Sequence, residues 1–298
     1  MEAGGEKRFI LNADDCGLSE ARNRAILEGY RGGLLKSASL CVNGEAFEAA
    51  LRDILPACPG LGWGIHLNIV EGRALVQQGE GGRRSRLINR EGDFNRGFLS
   101  ILLNSGSGAF LRDVEREFRA QIEKGAAGLK RGGRVIDHLD SHVHVHGIPA
   151  LFTLTLRLAR EYGIPCVRTQ YEKPYAVPRR LKPLRPARMV NLLKVAILNT
   201  LSGGNKRAAR AAGLTTNDYL IGVGYTGFMD EAAVEYGLRA LAGPVPGGKG
   251  LLVEALIHPG AEGRPSEYGL TQSAALAEKV RALGFRVGRY GEAGDGSA

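Results

Sequence analysis

The four cysteines, Cys16, Cys41, Cys58 and Cys166, include no pair at CxxC spacing, which argues against both a thiolate zinc site and a disulfide framework. A reducing compartment is the simpler expectation. No apolar run reaches the roughly 20 residues that a membrane span needs. The longest, from Met189 to Leu201, is broken by Asn191, Lys194 and Asn199. The opening residues MEAGGEKR lead straight into FILNADD and present no signal-peptide apolar region. These absences predict a cytoplasmic protein. Strong internal repeats and an interdomain linker are also missing, so the 298 residues, 44% of them hydrophobic, are expected to build one core.

Acidic residues are absent between Lys173 and Arg210, where ten Lys or Arg residues lie; outside that segment the charges nearly balance, so it accounts for the formal net charge of +9. Such a patch reads either as a solvated insertion or as a surface for an anionic partner. The apolar stretch within it either closes one side of the fold or lies against an anionic membrane, with the cations near the headgroups. The second alternative extends the expected location to the inner membrane surface as a peripheral contact. No nucleic-acid partner is expected, and self-association into a homo-oligomer is left open.

Short β-rich runs alternate with helical patterns along most of the chain, which predicts a parallel sheet with crossover helices. Strands are expected at Arg8–Ala13, Lys36–Val42, Leu61–Leu67, Arg134–Leu139, Pro165–Arg168, Asp218–Val223, Leu251–Ile257 and Phe285–Arg289. Ser19 is a natural cap for a helix through Tyr30, with Gly32 and Gly33 as its stop. Seven or eight such units make a TIM-like (β/α) barrel with a basic helical insertion the leading architecture; an open doubly wound sheet is the alternative. One domain over residues 1–290 is predicted, with insertions near 70–97 and 173–216 and a disordered tail at 291–298. The first insertion, rich in Gly, Arg and Glu, reads as a long loop of the kind that lids a site. The second begins as a proline-broken basic stretch and continues into one or two helices.

In a parallel barrel, polar residues that stand where strands stop mark the site. The segment HLDSHVHVH places His138, Asp140, His142, His144 and His146 at alternate positions and so uses four of the six histidines. Continued as a strand it would show one wholly polar face, with Leu139, Val143 and Val145 on the other. Unpaired inside a barrel these groups would each cost several kcal/mol if charged, so water, hydrogen-bond partners or a metal must meet them. The row is too long to aim at one ion, and one or two ligands are expected from it. Adjacent Asp14 and Asp15 at the end of Phe9-Ile10-Leu11 repel each other, which calls for a cation unless they cap a surface helix. One Asp and two His suit a divalent metal with open positions, and one acid then remains as a base. His258, ending the strand LLVEALI, is either a proton-transfer group or a structural histidine held by a carbonyl. Arg168 would clamp an anion, hold a carboxylate or form a surface ion pair.

Taken together, NADDCGLS, GWGIHLN, HLDSHVHVH followed by a helix, and EALIHPG, in that order between residues 8 and 260, resemble the YdjC/ChbG-type carbohydrate deacetylases, which include the hopanoid-associated HpnK branch. The resemblance implies a barrel of the polysaccharide-deacetylase type, one divalent metal ion (Mg first, with Zn, Mn or Co open), and removal of an N-acetyl group from an amino sugar, oligosaccharide or glycolipid-linked. Position by position it implies Asp15, His66 and His142 as metal ligands, Asp14 as general base and His258 as general acid. Asp140, His144 and Arg168 are candidates for substrate contact or for holding the ligands. Cys16 stands where the family usually has an aromatic residue. Two rivals remain: another metal-dependent hydrolase on the same barrel, acting on a phosphoester or cyclic amide, and a non-catalytic sugar-binding relative.

Overall fold

The computed structural model describes residues 5–178, 186–243 and 250–293. Its centre is β1 (Lys7–Cys16), whose last eight residues are all buried. Seven more strands follow in the chain: β2 (Ser37–Leu40), β3 (Gly62–Leu67), β4 (His138–Ser141), β5 (Cys166–Val167), β6 (Tyr219–Ile221), β7 (Leu251–Ile257) and β8 (Phe285–Val287). Every ladder between them is parallel. The hydrogen-bonded order is β5-β4-β3-β2-β1-β7-β6, with β8 joined to β1. One edge of β1 pairs with β7 from Lys7 to Ala13. The other is shared, β8 taking Lys7 to Phe9 and β2 joining from Asn12 onward.

The sheet curls until its two end strands come within hydrogen-bonding reach: Val167 N donates to Thr215 O at 3.0 Å and Leu220 N to Tyr171 O at 2.8 Å. These are single bonds and one isolated bridge, Cys166 to Thr215. A continuous ladder closing the barrel is absent among the described residues. The expected strands run longer than the ladders at this seam, where β5 has two residues and β6 three, and also at β2 and β8, while the strand expected at Arg134–Leu139 is β4, His138–Ser141.

Helices cover the outside: α1 (Glu20–Arg31), α2 (Phe47–Ala49) running through a π turn at Ala50–Ile54 into α3 (Leu55–Ala57), α4 (Phe98–Asn104), α5 (Gly108–Lys130), α6 (Pro149–Glu161), α7 (Pro186–Ala211), α8 (Glu231–Arg239), α9 (Pro265–Gln272) and α10 (Ala274–Ala282). Ser19 does cap α1, accepting from Arg22 N. Parallel strands wrapped in helices are buried on both faces, which explains their continuous apolar runs.

The 70–97 segment is a long loop with structure of its own. It folds back through bridges between Arg73 and Asp93, Gln78 and Arg84, and Ile88 and Phe94, burying Ala74, Leu87, Ile88 and Phe94. Asp113, Glu117 and Gln121, spaced by four along α5, share one helix face. Asp113 accepts from Arg86 N, Glu117 from Leu75 N and Val76 N, and Gln121 from Asn68 N. Three buried polar side chains thus satisfy the backbone of the insertion. The helical part of the basic insertion is a single helix, α7, which runs across Gly203 and Gly204 without a break; residues 179–185 of the proline-broken stretch before it lie outside the described residues. Tyr290–Ala293 forms a 3-10 turn; the expected disordered tail falls mainly on residues 294–298, outside the described residues.

Candidate functional site

Because all strands run the same way, their C-terminal ends form one rim, and the chemistry collects there. Ala13 and Cys16 on β1 pair with β2 across a register shift, and Asp15 between them has φ +66°. A bulge with a left-handed residue breaks the in-out alternation of the strand. Asp14 and Asp15 therefore both serve the site, at a backbone cost on the order of 1–2 kcal/mol. Cys16 points away from it and lies fully buried in the apolar core.

The histidine row does not continue as a strand. β4 stops at Ser141, and Val143 and His144 take φ values of +54° and +60° inside a tight turn spanning His142–Gly147. The expected polar face therefore ends after Asp140, and its histidines scatter. His138 stays buried below the rim, with Nδ1 on Asp137 and Nε2 3.1 Å from Ser39 Oγ. His142 turns to Asp15, Nδ1 to Oδ1 2.9 Å. Val143 is exposed instead of packed. His144 keeps a buried Nδ1 without a hydrogen-bond partner among the described residues, and burial together with nearby Arg168 holds its pKa well below the usual value. His146 lies under the turn, with Nδ1 on Ser141 Oγ and Nε2 2.9 Å from Arg168 O; burial lowers it to about 4.

Gly64 explains how His138 fits. It pairs with His138 in register, and a Cβ there would lie 2.2 Å from His138 Nε2.

Asp15, His66 and His142 each bring a donor atom within 4.8 Å of the others. His66 Nε2 lies 3.4 Å from Asp15 Oδ1. Bond lengths of about 2.0–2.2 Å place neighbouring ligands of a divalent ion roughly 3 to 3.5 Å apart, so the spacing fits. The support behind these donors fits as well: His66 Nδ1 lies 2.8 Å from Asp140 Oδ1, the arrangement that fixes a ligand histidine's ring. Burial disfavours the His66 cation, but Asp140 and Asp14 outweigh it and push the imidazole up to about 10. Burial would raise Asp15, yet His142 and His66 hold it well below the carboxylate range.

A second acidic cluster, Asp14, His66 and Asp140, already holds a cation. The Arg168 guanidinium lies between the two carboxylates, with Nη2 2.7 Å from Asp14 Oδ1 and 2.8 Å from Asp140 Oδ2. Its Nη1 reaches Asp14 Oδ2 at 2.9 Å and its Nε reaches Glu254 Oε2 at 3.0 Å. Arg168 is fully buried, so of its three sequence readings the geometry leaves that of a carboxylate holder. Burial would raise Asp14, but Arg168 and His66 keep it ionised. Asn12 Nδ2 also donates to Asp14 Oδ1 at 2.7 Å. Below this layer Ser39 Oγ donates to Asp140 Oδ2 at 2.6 Å, and Tyr290 stacks on His138 while its hydroxyl donates to Glu254.

His258 completes the rim. Glu267, at the start of α9, accepts from His258 N at 2.7 Å and lies 3.2 Å from its Nδ1. Burial would raise Glu267, but His258 keeps it below the carboxylate range. His258 is close enough to Asp15 to help hold that carboxylate ionised.

The sequence reading singled out every residue at the rim except Glu71, whose Oε1 lies 3.3 Å from His142 Nε2, and Glu267. Ser39 and Tyr290, which support the layer below, also went unread, and Asn12 was read as part of NADD without a role of its own. Glu71, Glu267, Ser39 and Tyr290 stand in no patterned motif, and each reaches its place through tertiary folding.

The family model for "YdjC-like protein" matches residues 8–285. A carbohydrate deacetylase of Brevibacillus brevis is 40% identical over 159 residues, which is 53% of this chain and 58% of that protein. One of Clostridium beijerinckii is 36% identical over 158 residues, 53% of this chain and 58% of that protein. The chain thus spans less than two thirds of the length of the curated relatives that it matches. A crystal structure of a protein from Enterococcus faecalis, named for cellobiose-phosphate cleavage, superposes with a TM-score of 0.70 at 19% identity, covering 97% of this chain and 99% of that one. That likeness is one of fold.

Proposed function

Because the chain belongs to the YdjC-like family, we propose that it hydrolyses the N-acetyl group of an amino sugar, in a metal-dependent reaction that yields acetate and a free amine. The observation that carries this reading is the convergence of Asp15, His66 and His142 beside an ionised Asp14 and a carboxylate-held His258. The curled sheet is read as an incomplete barrel of the polysaccharide-deacetylase type. Relatives named carbohydrate deacetylase support the substrate class; the sugar is free, oligomeric or lipid-linked.

In this reading Asp15, His66 and His142 would hold one divalent ion, which would polarise an acetyl carbonyl and lower the pKa of water. Asp14 accepts the proton of the attacking water as the new C–O bond forms. Arg168 serves this step by holding both oxygens of Asp14, which fixes the carboxylate and keeps it in the basic form. As the C–N bond breaks, the amine leaves with a proton from His258. Glu267 occupies Nδ1, so Nε2 is the atom free to deliver it. His144, kept neutral by burial beside Arg168, is the further histidine of the turn proposed to contact the sugar.

A two-metal phosphoesterase is less well supported, because the guanidinium of Arg168 fills the second acidic cluster. An acetate-release screen over N-acetylated mono-, oligo- and lipid-linked sugars tests the proposal. Release by the wild type and not by Asp14→Asn is the expected result. No release from any of these sugars would overturn it.

A further inference from the structure

Among the described residues nine large apolar side chains are exposed: Leu99, Leu103, Val135, Val143, Met189, Val190, Leu192, Leu193 and Ile197. All but Val135 lie on α4, on α7 or on the turn that carries His142. Both helices pack against that turn, and Asn205 Nδ2 of α7 donates to Gly147 O at 2.8 Å. Phe98 of α4 packs onto the cluster of Val195, Leu198, Leu220, Val223 and Leu256, which joins the two helices. The exposed side chains therefore belong to one stretch of the rim.

The exposure is too strong for side chains that merely border a core. Leu103 is 76% exposed, Leu99 66% and Leu193 62%. α7 already buries its inner face through Asn191, Val195, Leu198, Ser202, Asn205 and Ala209. Its outer face would be expected to be polar on a helix lying on a soluble domain. Instead it presents Met189, Val190, Leu192, Leu193 and Ile197 around the one cation Lys194. A contiguous apolar patch of this kind marks an interaction surface.

Charge decides the occupant. α4 has no charged residue and α7 has no acidic one; Lys173 and Lys206 reach the backbone oxygens of Ala240 and Asp218 and Arg210 pairs with Asp218, whereas Lys194 stands exposed among the apolar side chains. A second copy docked face to face would bring a cation from each copy to an interface where neither helix offers an acid. An anionic bilayer accepts both features, apolar side chains at the acyl boundary and Lys or Arg among the headgroups. No helix among the described residues is long and apolar enough to cross a membrane, so the contact would be a surface one. We propose that α4, α7 and the His142 turn form a docking surface for an anionic lipid bilayer, which would turn the mouth of the site toward the membrane. This does not depend on the hydrolytic reading.

Sedimentation with vesicles of phosphatidylcholine, alone or mixed with phosphatidylglycerol, tests the proposal. The wild type should bind the mixed vesicles, bind neutral ones far less, and come off in high salt. Leu192→Gln with Leu193→Gln, and separately Leu99→Gln with Leu103→Gln, should each weaken binding about tenfold or more. These positions are exposed, so unfolding midpoints should stay at wild-type values. Failure to bind anionic vesicles, equal binding to neutral ones, or variants that bind like the wild type would overturn the proposal. So would a wild-type dimer that both double variants convert to monomer. The salt response of the wild type needs no variant and stands as an independent reading.

Discussion

At the scale of the residue, the site depends on side chains that hold other side chains. Asp14 is locked by Arg168 and Asn12, so Asp14→Asn keeps the shape and removes the base that the proposed reaction uses. Turnover should fall by about 10²- to 10⁴-fold, while calorimetric titration of a divalent ion should still show binding to Asp15, His66 and His142. Among the described residues the Glu267 carboxylate accepts from the backbone N–H groups of Gly227 and His258 and meets the His258 ring, so in the proposed reaction it is a positioning residue. Glu267→Gln should lower kcat by roughly tenfold or more with KM little changed, and should move the limb of the pH–rate profile that belongs to the acid. A loss confined to KM would contradict that placement. Asp14, Asp15, His66 and His258 were legible because each ends an apolar run, where a polar residue has no packing role. Glu267 was not, because nothing in PSEYGLTQ marks one carboxylate as the partner of a histidine nine residues earlier.

At the scale of the element, the turn after β4 shows where pattern reading stops working. Alternation in HLDSHVHVH holds only while the backbone is extended, and Val143 and His144 at positive φ end it. A β-branched residue in that region is strained, and Val143 is also exposed. Replacing it with glycine should raise unfolding free energy by about 1 kcal/mol, measured by denaturant titration; a loss of that size would show that the turn is held by the valine side chain. Gly64 behaves in the opposite way. Its missing Cβ is the space that His138 occupies, so Gly64→Ala should destabilise by a few kcal/mol through overpacking. Most helices and the strands β1, β3 and β7 were legible from period and capping, Ser19 being the clearest case, whereas α4 and α9 were not foreseen and β4 begins four residues later than expected. β5 and β6 were read too long, because apolar residues at the edges of a curled sheet stay buried without making a ladder. The bridges within the 70–97 loop were not legible, because the side chains that hold its backbone, Asp113 and Glu117, sit on a distant helix.

At the scale of the whole molecule, buried ionisable groups outside the site set the response to pH. Glu172 is buried, accepts from Gly222 N and Gly224 N, and is pushed up by burial to about 7. Its folded-state pKa lies above its unfolded value, so the stability it contributes is complete below about 4.5 and is lost as pH rises through about 7. Between about pH 5 and pH 8 the wild type should lose a few kcal/mol more than Glu172→Gln does. Equal slopes in denaturant unfolding would contradict this. Parallel strands with a common direction explain why residues from positions 14, 66, 142 and 258 meet at one rim, and that much was foreseeable from an alternating β/α pattern.

The most direct test of the account is acetate release from an N-acetylated sugar by chelator-treated protein as a divalent ion is titrated back. The account predicts no release at first, then a rise to a plateau at a single ion per chain, with neither release nor ion binding in His142→Ala. Undiminished release by the chelated protein would contradict it.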